Sequence, residues 1–155
     1  MDWLPFAPLA AAALHITEEF VIPGGFPAWY RRYTPDPSRI TPRFLAIVNG
    51  VLLVACGDIA LLGRTPIGAA KWLTIAVIQA SNGCWHGWAS YRSHTYSPGT
   101  ITGVAVYLPA AIYGFVEFAR SGLASPGTAA GALLIGGSYH FWSAVYHRRV
   151  GKKTA

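Results

Sequence analysis

Charge is scarce in this chain. Of its 155 residues 12% are charged, 12 basic and 6 acidic, whereas 53% are hydrophobic. Soluble globular domains carry roughly 25% charged residues, so the composition excludes an ordinary soluble domain and points to an integral membrane protein. Cysteine is nearly absent too. Cys56 and Cys84 fall in different apolar runs and read as small buried apolar residues, since a disulfide would need Cα atoms within roughly 7 Å. The sequence has no internal repeat and no low-complexity tail. No basic stretch precedes the first apolar run, which therefore reads as a retained helix and not as a cleaved signal peptide. The length fits one domain, residues 1–155.

Apolar runs of spanning length occur at 3–22, 42–63, 67–91, 100–120 and 126–147. The breaks between them are rich in turn formers: Pro23-Gly-Gly-Phe-Pro27, Thr34-Pro-Asp-Pro37, Gly63-Arg-Thr-Pro66, Ser97-Pro-Gly99 and Ser125-Pro-Gly127. A run of about 20 residues crosses a bilayer as a helix. The expected fold is thus all-α, a bundle of five transmembrane helices in a multi-pass protein of the cell membrane. The net charge of +6 does not indicate nucleic acid, because the basic residues sit in the gaps between spans. One face carries Arg31, Arg32, Arg39, Arg43, Arg92, Arg148, Arg149, Lys152 and Lys153, nine in all, and the other Arg64, Lys71 and Arg120, three in all. The positive-inside rule then puts the N-terminus outside and the C-terminus in the cytoplasm.

Against this apolar background, His15, Glu18 and Glu19 stand out inside the first span. A charged group at the centre of a bilayer costs roughly 2.5–3.5 kcal/mol on insertion scales, so such residues face the protein interior and mark function. On a helix His15 reaches Glu18 at i+3 and Glu19 at i+4, a spacing suited to a metal half-site or an acid/base pair. The orientation places these three in the inner half of the membrane, together with Asn82 and His86 on the third span, Asn49 on the second and His140 on the fifth. Asn82 and His86, also i,i+4, read as site residues or as hydrogen-bonding glue between helices. His140 sits among Tyr139, Phe141 and Trp142, which could simply bury it. Asn49 reads as helix packing beside Gly50, and Gly127/Gly131 as a close-packing signature. Asp58 and Glu117, in the outer half, either pair across helices or reach separately for the surface. His94 and His147 belong at the water boundary. In the first loop, Trp29-Tyr-Arg-Arg-Tyr33 forms an interfacial anchor or a lid, with Arg31 and Arg32 toward an anionic headgroup or carboxylate.

His15-Ile-Thr-Glu18-Glu19-Phe20, followed by Pro23-Gly-Gly-Phe26, resembles the signature of the HXXEE family of small membrane proteins. Asn82-Gly-Cys-Trp-His86 resembles that family's additional histidine region, and Tyr96-Ser-Pro-Gly99 matches its YXPG motif. The resemblance runs from the first span through the fourth. It implies His15, Glu18, Glu19, His86, Tyr96 and Gly99 as marked positions. The family is defined by its motifs, so no reaction is implied, and His140 has no counterpart in the pattern.

The leading expectation is an intramembrane enzyme whose metal, zinc or non-haem iron, is held by His15, Glu19 and His86 and completed by His140. Glu19, at i+4, is expected to bind metal with His15. Glu18, on the other flank, is expected to move a proton or orient a ligand, with Asn82 and Tyr96 as further catalytic candidates. Trp85, Arg31 and Arg32 are assigned to a hydrophobic or lipid-like substrate. Two alternatives use the same residues: a metal-free acid/base isomerase or cyclase, and a proton-coupled transporter. Against the transporter stand the missing inverted repeat and the few interrupted helices.

Overall fold

The computed structural model describes residues 2–33, 41–139 and 141. Its described residues form helices and no strands. A 3-10 turn, Leu4–Phe6, runs into α1 (Ala7–Phe20); α2 (Phe26–Tyr33), α3 (Pro42–Leu62) and α4 (Pro66–Ser93) follow. α5 (Thr100–Arg120) contains a π-helical stretch, Gly103–Tyr107, and α6 is Pro126–Gly137. Two of these helices, α3 and α5, are long and apolar enough to cross a membrane. α2 forms within the first loop, where no helix is expected. Most of the fifth apolar run beyond Gly137, including His140, Trp142 and His147, lies outside the described residues.

Helix starts follow one local rule. Thr41, Thr65 and Ser125 each accept a backbone N–H three residues on (Phe44, Gly68 and Thr128, at 3.1, 3.0 and 3.1 Å), and a proline follows each cap. A hydroxyl N-cap satisfies one of the orphan donors, while proline at N1 lacks an N–H that would have had no partner. α5 departs from the rule: Gly99 precedes it and offers no side-chain cap. Its free N–H groups are taken by a residue of α1, described below.

Prolines also explain how α1 is fastened. Pro8 has no N–H for the carbonyl of Leu4, and that oxygen accepts from the Ala7 N–H and from Trp72 Nε1, the latter at 2.8 Å. The Pro8 carbonyl in turn accepts from Gln79 Nε2 at 2.9 Å. Both bonds reach across to α4, the central helix, whose N-terminal half lies in a core with Leu4, Ile59, Ala111, Phe118 and Ala132. In α5, Pro109 removes a further helical hydrogen bond, and the widened π turn lies immediately before it.

Close helix approach uses glycines other than the expected pair. A Cβ on Gly103 would sit 2.7 Å from Gly83 Cα, and one on Gly136 2.7 Å from the Thr74 carbonyl oxygen and from Val77 Cβ. Gly131 and Gly50 instead face open space, which corrects the close-packing reading of Gly127/Gly131; Asn49, beside Gly50, is half-buried. Which glycines pack depends on which face meets a neighbour, and a four-residue spacing carries no such information. At the end of the molecule remote from α2, Lys71 pairs with Asp58 at 2.7 Å, and Arg64 with Glu117 at 2.7 Å and Asp2 at 3.7 Å. Asp58 and Glu117 thus each take a cation, not one another. Cys56 and Cys84 are both free, the first buried and the second exposed.

Candidate functional site

The Gly83/Gly103 crossing brings α4 and α5 together beside their neighbours Asn82 and Thr102. α1 lies against both helices and inserts His15 between those two side chains. His15 Nδ1 is 2.9 Å from Thr102 Oγ1, and His15 Nε2 is 3.0 Å from Asn82 Nδ2. One helical turn on, Glu19 places Oε1 3.6 Å from His15 Nε2 and 3.1 Å from His86 Nε2. His86 Nδ1 is held 3.1 Å from Ser97 Oγ. His15, Glu19 and His86 are 2%, 6% and 1% exposed. Their ligand atoms lie within 4.8 Å of one another, close enough to share one metal ion.

Each ring therefore has one nitrogen on a hydroxyl and the other facing the Glu19 carboxylate. A partner on Nδ1 fixes ring orientation and tautomer, as the outer-shell partners of metal-bound histidines do. With Nδ1 protonated toward Thr102 and Ser97, two Nε2 lone pairs and a carboxylate converge, an arrangement that could hold a cation. With its Nε2 protonated, His86 donates to Glu19 Oε1 at 3.1 Å, whereas His15 Nε2 stands 3.6 Å from that oxygen, beyond hydrogen-bond reach, and takes the Asn82 amide instead.

Glu18 faces the other way around α1 and does different work. Oε1 accepts from the backbone N–H groups of Gly99 and Ile101, both at 3.0 Å, and from the Tyr96 hydroxyl; Oε2 accepts from the N–H of Thr102 at 2.7 Å. It supplies the cap that α5 lacks, and a carboxylate there also opposes the positive end of the helix dipole. Gly99 has φ +103°, and a Cβ on it would stand 2.7 Å from His86 Cε1 and 2.9 Å from His15 Cε1. Only glycine admits both that backbone and that proximity. The loop is stitched further by Ser90 Oγ, which accepts from Ser97 N at 2.8 Å and lies 2.7 Å from Thr100 Oγ1. Partial burial, followed by the bond to Glu18, raises the Tyr96 phenol above its ordinary pKa.

An aromatic wall covers the His86 side. The Phe26 ring lies 5.1 Å and the Trp85 ring 4.9 Å from the His86 ring, and Trp29 and Tyr30 pack on Trp85. Trp29 Nε1 donates to Thr95 Oγ1 at 3.0 Å and ties α2 to the loop before α5. Arg31 and Arg32 stand exposed on α2, with Arg32 5.8 Å over the Tyr33 ring. His94 is exposed, at the left-handed end of α4. His140 lies outside the described residues.

The structure thus gathers His15, Glu19, His86 and Asn82 at one point, with Glu18 and Tyr96 beside it. Sequence reading misses Ser97 and Thr102, whose hydroxyls adjoin the Tyr96–Gly99 turn, and Phe26 at its lid. Neither a curated protein nor a solved structure matches the chain. A family model described as a protein of unknown function with HXXEE motif matches residues 6–114, which span α1 to the middle of α5 and hold every group just described at the site. The chain belongs to the HXXEE family.

Proposed function

We propose that the protein is a multi-pass membrane enzyme that binds one zinc or iron ion through His15, Glu19 and His86 and acts on a hydrophobic or lipid-like substrate. The observation that carries this is the convergence of two imidazole nitrogens and one carboxylate oxygen within 4.8 Å, each ring braced from behind by a hydroxyl. Two histidines and one carboxylate are a donor set used by catalytic zinc and by non-haem iron with positions left open. Such an ion supplies Lewis acidity for hydrolysis if zinc, or redox chemistry for oxidation if iron.

The chain's own groups divide the remaining work. Thr102 and Ser97 aim the two rings. Asn82, 3.0 Å from His15 Nε2, is placed to hydrogen-bond a ligand at the open side. Glu18, with four donors on its two oxygens, acts as a positioning residue that fixes the start of α5, and Tyr96 acts through it. Trp85 and Phe26 form an apolar boundary suited to a hydrocarbon chain. Arg31 and Arg32 then serve anionic headgroups at the surface.

We read the fold as five membrane spans with the C-terminus in the cytoplasm. Large apolar side chains turned outward support this, among them Val54 at 74%, Leu61 at 90% and Leu134 at 74% exposed. A soluble monomer rarely exposes so many large apolar side chains. The nine-to-three division of basic residues supports the direction.

The Asn82 contact favours one alternative, a metal-free acid/base enzyme, because an Asn82 N–H that donates to His15 Nε2 already occupies the lone pair a metal would take. Metal quantification on purified protein separates the two. The metalloenzyme retains one equivalent of zinc or iron, and Glu19→Gln loses it at unchanged helicity. Wild-type protein that holds neither metal after reconstitution overturns it in favour of the acid/base reading.

A further inference from the structure

Tyr107 is 1% exposed, deep in the helix bundle, and its ring centroid lies 4.6 Å from that of His15. Among the described residues, its hydroxyl is the buried side-chain polar atom that has no hydrogen-bond partner. Leaving a hydroxyl unpaired in an apolar interior costs roughly 1–3 kcal/mol, and such a group calls for an explanation. Other polar side chains of the bundle have partners: Gln79 on Pro8, Thr102 on His15, Asn82 on His15 and Ser97 on His86.

The backbone takes an unusual course to put the ring there. Thr102 and Tyr107 are five residues apart, and at about 100° per residue an α-helix would turn them about 140° from one another. The π turn over Gly103–Tyr107 is wider, with hydrogen bonds from i to i+5, and brings the two positions toward one face. Thr102 and Tyr107 consequently both contact His15. Phenylalanine would fill the same space without an unpaired hydroxyl, so packing does not account for tyrosine.

We propose that Tyr107 is a ligand-binding residue of the His/Glu site, its hydroxyl pairing with the oxygen or nitrogen atom of what occupies that site, a water or the polar end of an apolar substrate. Tyrosine suits the task because it brings one donor and acceptor on a rigid apolar body. The metal arm of the test rests on the proposed function; the second arm does not.

The test compares wild type with Tyr107→Phe, both full-length in nanodiscs and loaded with Co2+. Azide is titrated and followed in the visible cobalt bands. Removing one hydrogen bond to an anion weakens azide binding about tenfold. Cobalt affinity stays the same, and the melting temperature holds or rises because no hydrogen bond within the protein is lost. Equal azide affinity in the two proteins overturns the proposal, and so does a fall in melting temperature, which would show that the hydroxyl has a structural partner. Should the wild type bind no cobalt, the metalloenzyme reading fails by itself. The infrared difference between wild type and Tyr107→Phe then decides: a water O–H band that shifts in heavy-oxygen water and vanishes in the variant supports Tyr107, and no such band overturns it.

Discussion

Glu18 and Glu19 are neighbours in sequence, yet their carboxylates meet opposite demands. Glu19 faces two imidazole nitrogens, whereas Glu18 collects three backbone N–H groups and a phenol. A glutamine at 18 keeps one acceptor oxygen and turns an NH2 group against donors. Buried hydrogen bonds to a charged acceptor contribute roughly 1.5–3 kcal/mol each, so Glu18→Gln is expected to lower stability by about 2–4 kcal/mol in thermal unfolding. Glu19→Gln should lose metal and, compared metal-free, unfold near the temperature of the metal-free wild type. Equal destabilisation by both changes would contradict this division. Tyr96 gives a pH signature, since its phenol pKa is raised in the folded protein. The stabilisation it provides is complete below the unfolded value of about 10 and fades only as pH rises through the higher folded value. The stability gap between wild type and Tyr96→Phe should therefore be flat from neutral pH to about 9; a gap that shrinks in that range speaks against the Tyr96–Glu18 bond.

At the scale of elements, the site depends on how closely α4 and α5 cross. Gly103→Ala would force a methyl to 2.7 Å from Gly83 Cα, moving Thr102 and Asn82 away from His15. Overpacking of this kind costs roughly 1–3 kcal/mol, and bound metal should fall although no ligand has been changed. Gly131→Ala, where a Cβ meets nothing within 4 Å, is the control and should be neutral or gain roughly 0.5–1 kcal/mol from helix propensity. Metal loss in the control alone would reverse the assignment. These elements also show what the sequence can reveal. The starts of α3, α4 and α6 are legible because Thr-Pro and Ser-Pro pairs mark a helix N-terminus chemically. The approach of His15 to Glu19 is legible from helical spacing, and the level of His86 along its own apolar run makes it a candidate partner. The cap that Glu18 gives α5 is not legible, because it joins residues more than 80 positions apart. Nor is Tyr107, an aromatic in an apolar run, since its direction is set by a π turn and not by the regular helical period. The packing glycines stay hidden for the same reason as Glu18: their partners lie on other helices.

For the whole molecule, the polar side chains of the site are buried beside an apolar core, while many large apolar side chains are turned outward. One end carries the paired charges of Asp2, Asp58, Arg64, Lys71 and Glu117, so its few cations are largely neutralised. The other end holds exposed Arg31, Arg32 and Arg92 near the site. A C-terminal reporter fusion should accordingly report the cytoplasm, and an external signal from the full-length fusion would reverse the topology. The central claim, a metal ion held in the membrane by two histidines and one glutamate, has a direct test in X-ray absorption at the zinc or iron edge of reconstituted protein. We predict a light-atom first shell with the outer-shell scattering of two imidazoles, and loss of the bound metal, with its edge signal, in His86→Ala. A spectrum without imidazole scattering, or one unchanged by that substitution, would contradict it.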